Sequence, residues 1–338
     1  MDFSSVIPSG FRGCACITQN GTAVLEKASG LSDLANNIPN TMQTRFATAS
    51  AGKAFVAVAV LNLIERGKLH FEDTLGTLLA LDWHQIDPEV TVRQLLTHTS
   101  GVPDYFDESI MDEYEELWID FPNYRIRKNS DLLPLFLTKP MLYSKGSKFQ
   151  YNNTGYVLLA MILEQITNQE FDEVLNELVF APAEMCCTGY YELDRLPAHC
   201  ANNYIFDQDG RWRTNIFSVD AKGTGAGGAF TTVEDILNFW DSLKNYRLLS
   251  KAMTENMLRI HSGDDENEDG KYGYGVWMFP RTDGSYFPYF QGCDPGVSFV
   301  SLLDRKTDTT AVLVSNYGDN VWKIMRNIVQ QLNGSESI

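Results

Sequence analysis

The chain has 338 residues, 44% hydrophobic and 21% charged, with 19 Phe, 15 Tyr and 6 Trp, which excludes global disorder and supplies a large core. Such a length favours two lobes over one compact unit. A net charge of -17, from 27 Lys and Arg against 44 Asp and Glu, disfavours nucleic acid and anionic lipid as partners.

The N-terminal stretch MDFSSVIPSGF carries an acid at its second position and no uninterrupted apolar run, so it reads as neither signal peptide nor anchor. No segment approaches the ~20 apolar residues that span a bilayer. These features predict a soluble cytoplasmic protein, although a secreted chain whose leader had been removed would look the same. From Gly13, GCACITQNGTAVLEKASG alternates about Asn20-Gly21, which predicts a β-hairpin.

The next run, RFATASAGKAFVAVAVLNLIERG, predicts a buried helix from Ser50 to the stop at Gly67. Ser50 and Lys53 lie three apart, on one helical face. Serine needs a neighbouring base, and a lysine in a dry pocket has its pKa lowered enough to serve. A serine at a helix N-terminus also gains from the positive dipole end as negative charge develops. The plain alternative is a capping serine beside a surface lysine. The apolar neighbours of Lys53 argue against a surface position.

Helical runs follow through the middle third: TVRQLLTH, TGYVLLAMILEQIT and TVEDILNFWDSL. Two acidic stretches stand out, residues 107–120 and 264–269, the second reading as a solvated face. In FQYNNTGY, Tyr151 and Asn153 directly precede an apolar helix. A lysine ammonium beside Tyr151 would stabilise its phenolate, and Asn153 is placed to contact Lys53 and donate to a substrate carbonyl. The last seventy residues turn to β-type runs (YGYGVWMF, VSFVSLLD, TTAVLVSN) and a helical tail, VWKIMRNIVQQL. The sheet is therefore expected from both chain ends: residues 1–70 and 265–338 as an α/β domain, residues 71–264 as a mostly helical one.

With Ser50-x-x-Lys53, Tyr151-x-Asn153, LLTHTSG, GAGGAFTTVEDILNF and QGCDPGVSF in this order, the chain resembles the serine β-lactamase and penicillin-binding-protein superfamily, in its class C related branch of esterases, D-aminopeptidases and carboxypeptidases. The resemblance covers roughly Gly13 to Asn316. It implies an α/β (α+β) fold with an antiparallel sheet flanked by helices, an inserted helical domain, and a site in the groove between them. It implies Ser50 as the acylated nucleophile, Lys53 and Tyr151 as the proton-transfer pair, and Asn153 as a substrate contact. It implies no metal or organic cofactor, and a small-molecule or peptide substrate.

The third motif departs from the family. Aligned on Pro295-Gly296, Phe290 stands where a Lys or His is usual, Gln291 replaces Thr or Ser, and Gly292 is kept, so that the amides of Cys293 and Ser50 would form an oxyanion hole. KGTG at Lys222 to Gly225 precedes a different family block and is rejected as that motif. Loss of the cation predicts poor β-lactamase activity and a neutral or cationic ester or amide as substrate, with the acidic stretch from Asp104 to Asp120 favouring a cation. A non-catalytic or covalently trapping binder of peptide or cell-wall fragments is the competing expectation. An α/β-hydrolase is disfavoured, because TASAG lacks the leading Gly and no late His completes a triad. His98 reads as structural and Trp277 as core. Cys14, Cys16, Cys186 and Cys187 read as small core residues, without zinc-site spacing. The oligomeric state is not legible.

Overall fold

The computed structural model describes residues 3, 5–264 and 270–334. Positions 1, 2 and 4 of the N-terminal stretch and 265–269 of the second acidic stretch lie outside the described residues. One antiparallel sheet combines the chain ends. β1 (Gly13–Gln19) and β2 (Thr22–Ser29) form the hairpin; β3 (Ser262–Gly263), β4 (Lys271–Tyr272), β5 (Trp277–Pro280), β6 (Tyr286–Asp294), β7 (Val297–Asp304) and β8 (Thr309–Ser315) come from the C-terminal part. The order is β2-β1-β8-β7-β6-β5-β4-β3. Asn20 (φ 51) and Gly21 (φ 72) turn the hairpin in the left-handed region that this dipeptide tolerates.

Residue alternation on β8 assigns the two faces of the sheet. Ala311 and Leu313 pack with Ile324, Met325, Ile328 and Leu332 of helix α4 (Val321–Gly334). Val312 and Val314 face the larger core, which contains α1 (Lys53–Glu65), α2 (Asn153–Thr167) and α3 (Val233–Lys244). The result is an α+β fold, a sheet with helices on both faces. α3 falls within the stretch expected to be a helical domain, yet it packs against β1 and β8.

α1 is buried on every side, as a helix apolar all round must be. It stops at Gly67 (φ 65), where Gly67 N bonds Ile64 O at 3.0 Å and Lys68 N bonds Leu63 O at 2.9 Å. At its start the structure differs from the expected helix: residues 49–52 form a 3-10 turn, and α-helix begins only at Lys53. α2 begins where the Asn152 side chain accepts from Gly155 N at 2.7 Å, a cap worth about 1 kcal/mol, and ends at Asn168 in the left-handed conformation. Cys14 and Cys16 are core residues, but Cys186 is exposed and Cys187 half-buried, on the turns after residue 181. Among the described residues no helix is long and apolar enough to cross a membrane.

Candidate active site

Ser50 sits in a turn that three glycines hold close. Strand residues Phe46–Ala47 pair with Phe230–Thr231, Thr48 N bonds Ala229 O at 2.8 Å, and Gly228 N bonds Ala49 O at 3.0 Å. A Cβ on Gly227 would fall 2.3 Å from Ala49 O; one on Gly292 of β6 would fall 2.1 Å from Thr48 O and 2.6 Å from Ser50 N. No other residue fits either place. Ala49, just before Ser50, is itself left-handed (φ 47), a conformation that costs a residue with a Cβ about 1–2 kcal/mol. Ser50 lies inside the 3-10 turn, whose N-cap is Thr48, and α1 is capped at Gly52, which removes the capping explanation for Ser50.

Lys53, 2% exposed, directs its ammonium at three acceptors: Ser50 Oγ at 3.0 Å, Asn153 Oδ1 at 2.8 Å and Ala226 O. Burial pushes its pKa down to about 8, while Glu108, Asp104 and Asp294 pull the other way. The carbonyl of Ala226 left no signal in the sequence. It is delivered by the loop that contains the rejected KGTG run, whose Lys222 pairs with Asp172 instead.

Tyr151 stands beside Lys53 and Ser50, but as a neutral phenol and not the expected phenolate. Burial first and Glu108 second hold its pKa well above the ordinary tyrosine value, outweighing the nearby Ser50 hydroxyl. Lys53 approaches the ring face, 5.0 Å from the centroid. The ring is fixed between Trp277 (5.6 Å, stacked) and His98 (4.5 Å). Trp277 was expected in the core; it is half-buried and lines the cleft as the other side of this stack.

His98 acts on the backbone. Its Nδ1 accepts from Asn152 N at 3.1 Å, so the neutral ring carries its proton on Nε2, and burial and the nearby Lys53 hold its pKa well below the usual value. Asn153 contacts Lys53 through Oδ1, and its Nδ2 donates one N–H to Phe106 O at 3.1 Å, with Glu108 Oε1 at 3.5 Å. Beneath it is a residue the sequence reading took only as part of an acidic stretch: Asp104, 5% exposed, accepts from Asn153 N and Thr154 N at 2.8 and 2.9 Å and from Thr154 Oγ1 at 3.0 Å. Burial pushes its carboxyl up to about 6 despite those bonds.

On β6, side chains alternate in direction. Phe290 points into the core, 5.0 Å from Trp240 and 6.0 Å from Phe299, both stacked. The position that is cationic in the family is here an aromatic core position, and its side chain does not line the cleft. Gln291 and Cys293 line the cleft, as does the Gly292 backbone. The cleft encloses about 1120 Å³ and reaches Ser50, Tyr151 and Asn153.

The chain is similar to known proteins over nearly its whole length. The Beta-lactamase family model matches residues 9–328. A solved penicillin binding protein from Bacillus halodurans superposes with a TM-score of 0.90 at 38% identity, over 95% of this chain and 96% of its own. The chain is 27% identical over 332 residues to PbpX of Bacillus subtilis (strain 168), which is described as a penicillin-binding protein, covering 96% of this chain and 76% of that one. It is 25% identical over 282 residues to the teichoic acid D-alanine hydrolase of Staphylococcus aureus, covering 82% of this chain and 66% of that one. Sequence and fold together make the chain a member of the Beta-lactamase family.

Proposed function

We propose that the protein is a serine hydrolase that cleaves an ester or amide through an acyl-enzyme on Ser50. One observation carries this reading: a buried Lys53, with its pKa pushed down to about 8, lies 3.0 Å from Ser50 Oγ at the floor of an open cleft. The teichoic acid D-alanine hydrolase is one relative whose named reaction is a hydrolysis.

In acylation, neutral Lys53 takes the Ser50 hydroxyl proton as Oγ attacks the substrate carbonyl carbon. The oxyanion forms against the amides of Ser50 and Cys293, next to the close approach of Gly292. The carbon to leaving-group bond then breaks, and the leaving atom takes the proton held at Lys53, with the Tyr151 hydroxyl as the bridging donor. Deacylation repeats the sequence with water as nucleophile, returning the proton to Ser50. Tyr151 stays a phenol throughout, so Lys53 is the base.

Intact-mass spectrometry after incubation with a fluorophosphonate, and separately with a penicillin, tests this against Ser50→Ala. A fluorophosphonate adduct that requires Ser50 supports the nucleophile. A penicillin adduct that persists indicates trapping, and one that decays indicates turnover. Absence of any Ser50-dependent adduct would leave only the non-catalytic binding alternative.

A further inference from the structure

Beyond Ser50 the cleft is lined by six carboxylates, those of Glu108, Asp112, Glu113, Glu115, Asp220 and Asp294, against two guanidinium groups, Arg213 and Arg326. Glu115 already engages Arg213 at 3.0 Å. Asp294 lies two residues beyond Gly292 on the same strand, and Asp220, which lines the same cleft, feels its charge. No lysine or arginine forms an ion pair with either carboxylate among the described residues; Asp220 is touched by the Tyr114 hydroxyl at 3.3 Å. An unpaired pair of carboxylates so close to the reacting centre is costly unless a cation arrives.

Two further observations point to what arrives. Asn203, 3% exposed, lines the same cavity, and its Oδ1 accepts no hydrogen bond among the described residues. It is tied to this corner because Asn215 bonds both Asn203 O and Pro295 O, at 3.0 Å each. The wall beside Asp220 is aromatic: Tyr105, Phe106 and Tyr114 line the cavity, with Phe106 and Tyr114 edge to face at 4.8 Å. Carboxylates that no lysine or arginine pairs, next to aromatic rings, form an environment for an organic ammonium group.

We propose that Asp294 and Asp220, with the Tyr114 wall, form a subsite for an ammonium group on the acyl side of the substrate, so that the preferred acyl donor is a cationic ester or amide. The inference rests on Ser50 being the acylated nucleophile. It also moves the selecting charge away from Asp104, which is buried under α2 and does not line the cleft. With the subsite empty, burial raises both carboxyls, Asp294 to about 7 and Asp220 to about 8, and the Asp294 charge adds to the rise at Asp220. At Asp294, Lys53 offsets part of the rise and Glu108 adds to it. A bound cation favours the ionised form of both.

Two isosteric esters test the subsite: p-nitrophenyl 4-(trimethylammonio)butyrate and p-nitrophenyl 5,5-dimethylhexanoate, which differ in N⁺ against carbon. Nitrophenolate release gives the acylation rate, and intact mass confirms acylated Ser50. The expected result is at least a tenfold preference for the cationic ester in kcat/KM, falling toward one in Asp220→Asn and Asp294→Asn. Tetramethylammonium chloride should slow acylation by the neutral ester more than equal sodium chloride does, a measurement that needs no variant. Ser50 acylated by both esters at similar rates, or no protection by tetramethylammonium, overturns the subsite and leaves the nucleophile standing. A preference that survives both substitutions overturns the assignment to these two carboxylates. Failure of either ester to acylate Ser50 overturns the acyl-enzyme reading and the subsite with it.

Discussion

Asp104 Oδ2 accepts the backbone N–H of Asn153 at 2.8 Å, and through Asn153 it holds the residue that fixes the Lys53 ammonium. Asp104 is therefore a positioning residue with two separable effects. Asp104→Asn places an amide NH₂ against one of the two N–H groups, leaving a buried donor unpaired. Thermal unfolding should show a loss of about 1–3 kcal/mol. Removing this negative charge also disfavours the Lys53 ammonium, so the pH midpoint of acylation should move to lower pH. A stability loss with no movement of the midpoint would show that Asp104 acts on the fold alone.

The pH profile of the native chain follows from Lys53. Below about 8 it keeps its proton and cannot take one from Ser50; above that value it is neutral and acts as a base. The pre-steady-state acylation rate should rise between pH 7 and 9 and then level. Tyr151, held well above its ordinary value, adds no second rise in this window. A rate independent of pH from 6 to 9 would remove Lys53 from the base role.

Phe290 is a core residue, and restoring a cation there should harm the protein without creating a β-lactamase. Phe290→Ala should cost about 3–5 kcal/mol, from lost contact with Trp240, Phe239, Phe299 and Phe55. Phe290→Lys should cost at least as much, because no carboxylate is among these ring partners to pair the buried charge. Chemical denaturation measures both, and hydrolysis of a carboxylate-bearing cephalosporin should stay at or below the native rate.

Gly292→Ala forces a methyl group to 2.1 Å from Thr48 O and 2.6 Å from Ser50 N, so the nucleophile turn must shift. A displacement of about 1 Å at a reacting group costs on the order of a hundredfold, and the acylation rate should fall by at least that factor while the melting temperature changes less. Gly227→Ala, against Ala49 O from the other side, should behave the same way.

What the sequence makes legible here follows the range of the interactions. Ser50 and Lys53 are three residues apart, so helical geometry alone brings them together. The hairpin at Asn20-Gly21 and the apolar α1 are equally local signals. Ala226 O and Asp104 reach the site from separate loops, and a carbonyl has no residue type to betray it. Asp220 and Asp294 lie on different elements and meet only once the fold is complete. The side-chain directions of Phe290 and Trp277 escape sequence reading for another reason: aromatic residues suit a core and a cleft wall equally, and only the pleat of the sheet decides between them.

The sheet's arrangement also bears on how the protein is made. Ser50 and Lys53 leave the ribosome early, yet Gly292 and the Cys293 amide lie on β6, near the end of the chain, and β1 waits for β8 before it has a second neighbour. On the proposed mechanism, the nascent chain for most of translation carries Ser50 without the strand that supplies the second amide of the oxyanion hole. Reactivity therefore arrives late and all at once, and a product truncated before β6 should be chemically silent toward acyl donors even where its helices have formed.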